Sequence, residues 1–285
     1  MTPWEHIKSA ASIGVITTNI AFWVALAIPV RLVRSVVPSA RPSLRRVLDA
    51  LYRAAVRVDD LWLERVIGIR WSRPELVLDR GRSQILLSNH VSWVDIFVLQ
   101  SLMARHGFAV QFLTKRELVW LPVVGLVFWL FEFPLLRRTT RPGADEALRR
   151  GQDRAAVEAA CRHARHQPVA LVDFAEGTRA TAARRASRSS PHRHLLPPRV
   201  GGFEALLDGL GDGLGGVVDC TLVYPRDRKI RFWEFLAGRV GEIEVAAEAI
   251  APAEIPATRA ERARWLEERW ARKDERIAAS HGLRD

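Results

Sequence analysis

The stretch that decides the fold is Ile85-Leu86-Leu87-Ser88-Asn89-His90-Val91-Ser92-Trp93-Val94-Asp95-Ile96-Phe97. Its first three residues form an apolar run, which predicts a short buried strand. The mixed apolar segment that follows His90 predicts the start of a helix. The histidine is therefore expected at a strand-to-helix corner, directly after the polar residues Ser88 and Asn89.

His90 and Asp95 are five positions apart in the sequence, a spacing at which two side chains do not face each other on a regular helix. They can meet only if the histidine lies on the turn and the aspartate lies in the first helical turn. The carboxylate would then hold one ring nitrogen, so that the other nitrogen can take a proton. The pair is a candidate general base with its orienting group. Alternatively, Ser92-x-x-Asp95 is a capping box in which Asp95 bonds only backbone amides.

A second motif, Phe174-Ala175-Glu176-Gly177-Thr178-Arg179, follows another apolar run at residues 169–172. Together the two motifs resemble the glycerolipid acyltransferases of the lysophosphatidate (PlsC-type) family. That family carries Asn-His, four residues and Asp, and further along the chain a Phe-Pro-Glu-Gly-Thr-Arg block. Ala175 stands where the family has proline, which alters the stiffness of the loop more than its chemistry.

The resemblance implies an α/β fold, with a twisted mixed sheet flanked by helices. It also implies transfer of a fatty acyl chain from acyl-CoA or acyl carrier protein, as co-substrate, to the free hydroxyl of a lysophospholipid. The simplest acceptor is 1-acylglycerol-3-phosphate, which would become phosphatidate. No cofactor is expected. Neither a serine in a nucleophile elbow nor a reactive cysteine stands beside His90, so the acceptor hydroxyl can itself be the nucleophile.

The same resemblance assigns roles to individual residues. His90, oriented by Asp95, would remove the hydroxyl proton, and two arginines would hold the acceptor phosphate through their forked donors. Gly177 would let the backbone approach the phosphate, and Glu176 would orient either the arginine or the acceptor. The substrate-binding residues implied in this way are Arg138, Glu176, Gly177, Thr178 and Arg179.

Three further segments, at residues 195–203, 232–238 and 265–274, resemble one branch of the family. That branch contains the bacterial YihG-type enzymes and the lysocardiolipin or lysophosphoinositide acyltransferases. Lysocardiolipin, lysophosphatidylglycerol and lysophosphoinositide are therefore alternative acceptors.

The composition restricts the partners of the protein. The chain has 43 Lys plus Arg against 32 Asp plus Glu, a net charge of +11, which favours anionic partners such as phosphorylated substrates, lipid headgroups or nucleic acid. No module that reads a groove is visible, so nucleic acid is not expected. A non-catalytic basic lipid- or nucleic-acid-binding protein remains an alternative, but it leaves both motifs unexplained. Cys161, His163 and His166 fall on different faces of a helix, and no metal site is expected.

Residues 9–30 carry no charge and are long enough to cross a bilayer as a helix. We predict a membrane anchor over residues 1–35 and a catalytic domain over residues 36–285, with closing helices at about 255–280. Five arginines between residues 31 and 46 favour a cytoplasmic-membrane protein whose catalytic domain faces the cytosol. A cleaved secretory signal ending near residues 25–27 and a helix lying in the membrane interface are the alternatives. The oligomeric state is not determined by the sequence.

The other patterns predict strands and helices in alternation. Residues 119–131 form an apolar run interrupted by Pro122 and Gly125, which predicts a helix half-sunk in the bilayer, a wall of an acyl-chain pocket or a core helix. Residues 181–194 predict a mobile basic loop. Helices are predicted within residues 44–69, 97–103 and 145–166, and strands at 76–78 and 85–87, joined by a turn, and at 110–113, 169–174 and 217–225.

Overall fold

The computed structural model describes residues 1–112, 114–115, 119–120, 122–131, 133, 135–136, 146–225 and 230–282. The helices are α1 (Pro3–Val36), α2 (Arg41–Leu61), α3 (Val94–Arg105), α4 (Pro122–Leu130), α5 (Glu146–Ala164), α6 (Ala182–Ser187), α7 (Val200–Leu210), α8 (Phe232–Leu236) and α9 (Arg259–Gly282). The strands are β1 (Arg70–Trp71), β2 (Ser83–Ser88), β3 (Val110–Phe112), β4 (Thr114–Lys115), β5 (Leu135–Leu136), β6 (Ala170–Asp173), β7 (Leu214–Val223) and β8 (Glu242–Ile250).

Six of these strands form one mixed sheet in the order β1-β8-β7-β2-β6-β3, in which the β7–β8 pair is antiparallel and the other pairs are parallel. β4 and β5 form a separate parallel pair. Helices cover both faces of the large sheet, as a parallel sheet requires. The predicted fold class, a mixed sheet flanked by helices, is confirmed.

Strand β2 lies in the middle of the sheet, and all of its residues are buried. Its side chains alternate between the two faces. Leu86 packs in the core cluster that contains α3, whereas Ile85 and Leu87 pack in the cluster that contains α7 and the helix α9. The apolar run that was read as a buried strand is therefore apolar because both of its faces are covered.

The parallel register brings the ends of three strands together. Leu87 of β2 lies beside Asp173 of β6, and Ser88 lies beside Cys220 of β7. Because β2, β6 and β7 run in the same direction, the segments that follow them leave the sheet at the same edge. This edge carries both motifs identified in the sequence.

The strand predicted at residues 76–78 is wrong. In the structure this segment is an extended loop without a sheet partner, and the side chain of Val77 is 96% exposed. Both edges of β2 are occupied, by β6 and β7, so a hairpin partner has no place beside it. The loop is held instead by the backbone N–H of Leu76, which donates to Nε2 of His106 at 3.0 Å.

The basic segment 181–194 is not entirely a loop, because it contains the short helix α6. The hydroxyl of Thr181 caps this helix by accepting from the backbone N–H of Arg184 at 3.2 Å. Capping by a threonine at this position stabilises the first turn of a helix even where apolar residues are few. The composition of the segment predicts a loop because it has few apolar residues, and it does not reveal this cap.

Helix α1 packs against α2, α4 and α8, and its buried face contains both apolar and polar side chains. The hydroxyls of Ser9 and Ser12, both fully buried, donate to the carbonyls of Trp233 and Leu236 at 2.8 and 3.0 Å. The amide of Asn19 donates to α2. The exposed residues of α1 are largely apolar and include Trp4, Ile7, Ile13, Phe22, Leu26, Leu32 and Val36. The exposed face of the helix is therefore more apolar than that of a helix at a water-exposed surface.

Candidate active site

His90 and Asp95 meet as the spacing required. The histidine lies on the turn between β2 and α3, and the aspartate lies in the first turn of α3. Nδ1 of His90 is 2.7 Å from Oδ2 of Asp95, and Asp95 is fully buried whereas the His90 side chain is 20% exposed. Because Nδ1 is held by the carboxylate, Nε2 is the nitrogen left to exchange a proton with a substrate.

The carboxylate of Asp95 has further partners. Its Oδ2 accepts from the backbone N–H groups of Val91 and Ser92 at 2.7 and 3.0 Å, and its Oδ1 accepts from the hydroxyl of Tyr224 at 2.5 Å. Asp95 thus bonds backbone amides and also contacts the imidazole, so the alternative in which it bonds only backbone amides is wrong. Burial, and then the charge of Asp95, raise the pKa of Tyr224 well above its usual range, so this hydroxyl stays protonated and donates.

Two contacts hold the turn that carries the histidine. The buried side-chain amide of Asn89 bonds both backbone groups of Leu222 in β7, donating at 2.9 Å and accepting at 2.8 Å. The His90 ring stacks on Phe174, with the ring centroids 4.0 Å apart and the planes 16° from parallel. Imidazole, turn and sheet are thereby kept in one arrangement, which is what a positioned general base needs.

The role predicted for Glu176 is corrected by the structure. Its carboxylate is fully buried and accepts from the backbone N–H of His90 at 3.1 Å and from that of Leu196 at 3.2 Å. Burial is the main cause that raises its pKa to about 7, and the two amides act against it. Glu176 therefore joins the second motif to the histidine turn rather than orienting an arginine. The backbone N–H of Ala180 returns the connection by donating to the carbonyl of His90 at 2.7 Å.

The last three residues of the second motif, Gly177 to Arg179, lie closer to solvent than Glu176. Gly177 has a φ of +68°, which side-chain-bearing residues rarely adopt, and Thr178 is half-buried. Arg179 is exposed, and its guanidinium carbon lies 5.7 Å from the centre of the Trp93 ring. The structure thus places Gly177, Thr178 and Arg179 around the mouth of the site. Arg138, the other arginine expected to bind phosphate, lies outside the described residues.

His90, Phe174, Gly177, Thr178 and Arg179 border one cleft of about 1590 Å³. One part of the cleft is apolar and lies between α1, α2 and α4; it includes Trp23, Leu51, Val127, Phe128 and Phe131. Another part is cationic and includes Arg179, Arg184 and Arg199. His90 lines the same cleft and is connected to the apolar part by ring stacking, because Phe174 stacks on Phe112 at 6.2 Å. The arrangement suits a substrate with one apolar and one anionic end.

Sequence reasoning missed three residues of this site: Asn89 as a brace, Tyr224 as the second donor to Asp95, and Phe174 as the surface on which the imidazole stacks. The sequence pattern predicts only that Tyr224 belongs to the strand at residues 217–225. The signal that could have found it is positional, because strands that lie side by side in parallel end at the same edge. Using that signal requires the knowledge that β2 and β7 are neighbours.

The comparisons with known proteins agree on the family and on the fold. A model of the Acyltransferase family matches residues 70–225, which is more than half of the chain. A crystal structure of the 1-acyl-sn-glycerophosphate acyltransferase PlsC from Thermotoga maritima superposes with a TM-score of 0.58 at 18% sequence identity, covering 95% of this chain and 98% of that chain. At this identity the likeness shows the fold alone.

The matches with curated relatives cover a smaller share of the relatives' own length than of this chain. The 1-acyl-sn-glycerol-3-phosphate acyltransferase epsilon of Mus musculus is 27% identical over 81% of this chain and 71% of its own. The lysocardiolipin acyltransferase 1 of Danio rerio is 27% identical over 82% of this chain and 61% of its own. The 1-acyl-sn-glycerol-3-phosphate acyltransferase delta of Homo sapiens is 26% identical over 70% of this chain and 54% of its own. The chain thus spans between 54% and 71% of the length of these relatives.

Proposed function

The chain belongs to the Acyltransferase family, and from this premise we propose that it moves a fatty acyl chain from acyl-CoA or acyl carrier protein to the free hydroxyl of a lysophospholipid. The observation that carries the proposal is the His90–Asp95 pair, which lines a cleft with an apolar part and a cationic part. The apolar part suits acyl chains, and the arginines suit the phosphate of the acceptor.

The reaction needs no covalent acyl-enzyme. Nε2 of His90 takes the proton from the acceptor hydroxyl, and the resulting alkoxide attacks the thioester carbonyl of the donor. The carbon–sulfur bond then breaks, and the imidazolium returns the proton to the departing sulfur, so that a thiol leaves. The charge of Asp95 stabilises the imidazolium between these two steps. Arg179 binds the phosphate of the acceptor and so positions its hydroxyl.

The acceptor that we propose is 1-acylglycerol-3-phosphate, as in the names of two of the relatives. The membership of the YihG-type branch stays a prediction, and a lysocardiolipin-type acceptor is the alternative, in line with the name of a third relative. The test is a mixture of lysophosphatidate, lysophosphatidylglycerol and lysocardiolipin, offered to the purified full chain with radiolabelled acyl-CoA or acyl carrier protein. We expect lysophosphatidate to be consumed first. Preference for another lysolipid would refute the acceptor, and no transfer to any of them would refute the function.

Arg179→Gln is expected to raise the KM for lysophosphatidate by about 10-fold, since a hydrogen bond to a charged group contributes about 1.5–3 kcal/mol and exposure reduces it. The kcat should change little, because the proton transfer at His90 is not touched. Steady-state kinetics at varied acceptor concentration measures both constants. Arg185→Gln is the matched control: this arginine donates to the carbonyl of His194 and does not line the cleft. An unchanged KM in Arg179→Gln would contradict the phosphate contact.

For the N-terminal helix we propose that it binds the cytoplasmic membrane through its exposed apolar residues, with the catalytic domain on the cytosolic side. Within the described residues α1 is the helix that is long and apolar enough to cross a bilayer, and only 22% of its most apolar 18-residue window is buried. Its contacts with α2, α4 and α8 favour a helix that lies along the domain in the membrane interface, the alternative left open by the sequence. The division into residues 1–35 and 36–285 stays a prediction.

Replacing Phe22 and Leu26 of α1 by glutamate is expected to lower the partition of the protein into vesicles by about 100-fold, since each exposed apolar side chain contributes about 1.5–3 kcal/mol on burial in lipid. Both side chains face outward, so the fold should be retained. Co-sedimentation with vesicles of phosphatidylethanolamine and phosphatidylglycerol measures the effect. Val77→Glu serves as the control, because this apolar residue is even more exposed and lies on a loop outside α1. Equal sedimentation of all three proteins would rule out the proposed contact.

A further inference from the structure

The cationic part of the cleft contains more arginines than the acceptor phosphate needs. Arg184 and Arg199 line it together with Arg179, and Arg188 lies at the C-terminal end of α6, the short helix that carries Arg184. The three arginines at 184, 188 and 199 surround the Glu176–Arg179 turn. Arg188 donates to the carbonyl of Glu176 at 3.1 Å, Arg184 donates to that of Arg179 at 3.0 Å, and the Arg199 side chain packs 3.7 Å from where a Cβ of Gly177 would lie.

These three arginines are not neutralised. Within the part of the chain that the structure describes, none of them forms an ion pair, and the partners of Arg184 and Arg188 are carbonyls, which accept hydrogen bonds but carry no charge. Elsewhere in the same cleft the arrangement differs. Arg259 is paired with Glu204 at 2.7 Å.

Unpaired guanidinium groups that lie close together repel one another, and the repulsion is relieved when an anion binds among them. Arg184 and Arg188 each keep further N–H donors beyond their single carbonyl contact, because a guanidinium carries five. Donors of this geometry match the oxygens of a phosphate. A fixed backbone turn with an exposed glycine at its centre adds room for a close approach.

We propose that Arg184 and Arg199, which line this cleft, form a second phosphate subsite together with Arg188, which contacts the same turn, separate from the contact of Arg179 with the acceptor. The inference rests on the proposed function and deepens it, because it states that the substrates together bring at least two phosphate groups to this face. The second phosphate has two possible sources: the nucleotide and pantetheine phosphates of an acyl-CoA donor, or the second phosphate of a lysocardiolipin-type acceptor.

The test compares substrates that have the second phosphate with substrates that lack it, in neutral detergent micelles, for Arg188→Gln, Arg199→Gln and the double variant. If the donor supplies the phosphate, the KM for acyl-CoA rises by about 10-fold and the KM for acyl-pantetheine, which has no phosphate, is unchanged. If the acceptor supplies it, the KM for lysocardiolipin rises by a similar factor and that for lysophosphatidate is unchanged. In either case Arg199→Lys restores much of the affinity, because it keeps the charge.

Two controls keep the test decisive. Arg185→Gln changes an arginine of the same helix that does not line the cleft, and its KM values should equal those of the wild type. Unchanged KM values in all variants overturn the subsite, and so does a loss of kcat that is equal for every substrate, because that pattern indicates damage to the turn. Equilibrium binding of coenzyme A and of lysocardiolipin requires no turnover. Binding therefore tests the subsite even if the wild type transfers no acyl chain. Absence of transfer would refute the proposed function but not the subsite.

Discussion

Replacement of His90 by alanine is expected to lower the kcat of acyl transfer by about 10²–10⁴-fold, the usual contribution of a positioned general base. The acceptor hydroxyl has a pKa far above neutral, so that without Nε2 almost no alkoxide forms beside the thioester. The KM for the acceptor should change little, because Arg179 lies on the other side of the turn against Trp93. Transfer of a radiolabelled acyl chain from acyl-CoA to lysophosphatidate, with purified wild type and variant, measures the loss.

The fold should survive this change. The His90 side chain is partly exposed, and the turn is held by backbone contacts to Glu176 and by Asn89, neither of which depends on the ring. A thermal melt checks that the variant is folded. His166→Ala is the matched control, since this exposed histidine lies in the turn after α5 and does not line the cleft. If His90→Ala and the wild type turned over alike, the assignment of the base would be wrong.

Asp95→Asn should produce the second large effect, a loss in kcat of about 10³–10⁴-fold, as is found for orienting carboxylates in other acyl-transfer sites. Asparagine keeps the shape and can still accept from the backbone N–H of Val91. It no longer carries the charge that stabilises the imidazolium, and its NH₂ group cannot accept the Nδ1 proton. The affected quantity is therefore kcat, and the KM for either substrate should stay within a factor of a few.

Tyr224→Phe separates the catalytic role of Asp95 from its structural one. It removes one neutral donor to Oδ1 and leaves the contact with His90 in place, so we expect a loss of about tenfold or less, since a hydrogen bond to a charged group contributes about 1.5–3 kcal/mol and part of this affects stability only. Rates and melting temperatures are measured together. Full turnover in Asp95→Asn with an unchanged melting temperature would show that Asp95 acts as a cap and not as an orienting group.

Local patterns predicted much of this molecule because the relevant interactions are close in sequence. The run that ends at Ser88 could be read as a central strand, since only a strand covered on both faces is apolar throughout. The same holds for the turn between His90 and Asp95, because a spacing of five allows their contact in one local geometry only. The prediction failed at residues 76–78, where the pattern was right for a strand but both edges of β2, the expected partner, are occupied by β6 and β7.

The sequence by itself determined the contact between His90 and Asp95, the strand that precedes it and the apolar helix at the N-terminus, because each depends on periodicity or spacing over a short stretch of chain. Only the tertiary structure decided which groups surround that pair. The β2–β6 and β2–β7 neighbours place Glu176 under the histidine turn and Tyr224 behind Asp95. Pairing of strands that are 80 or more residues apart depends on how the whole chain packs, and no local pattern encodes it.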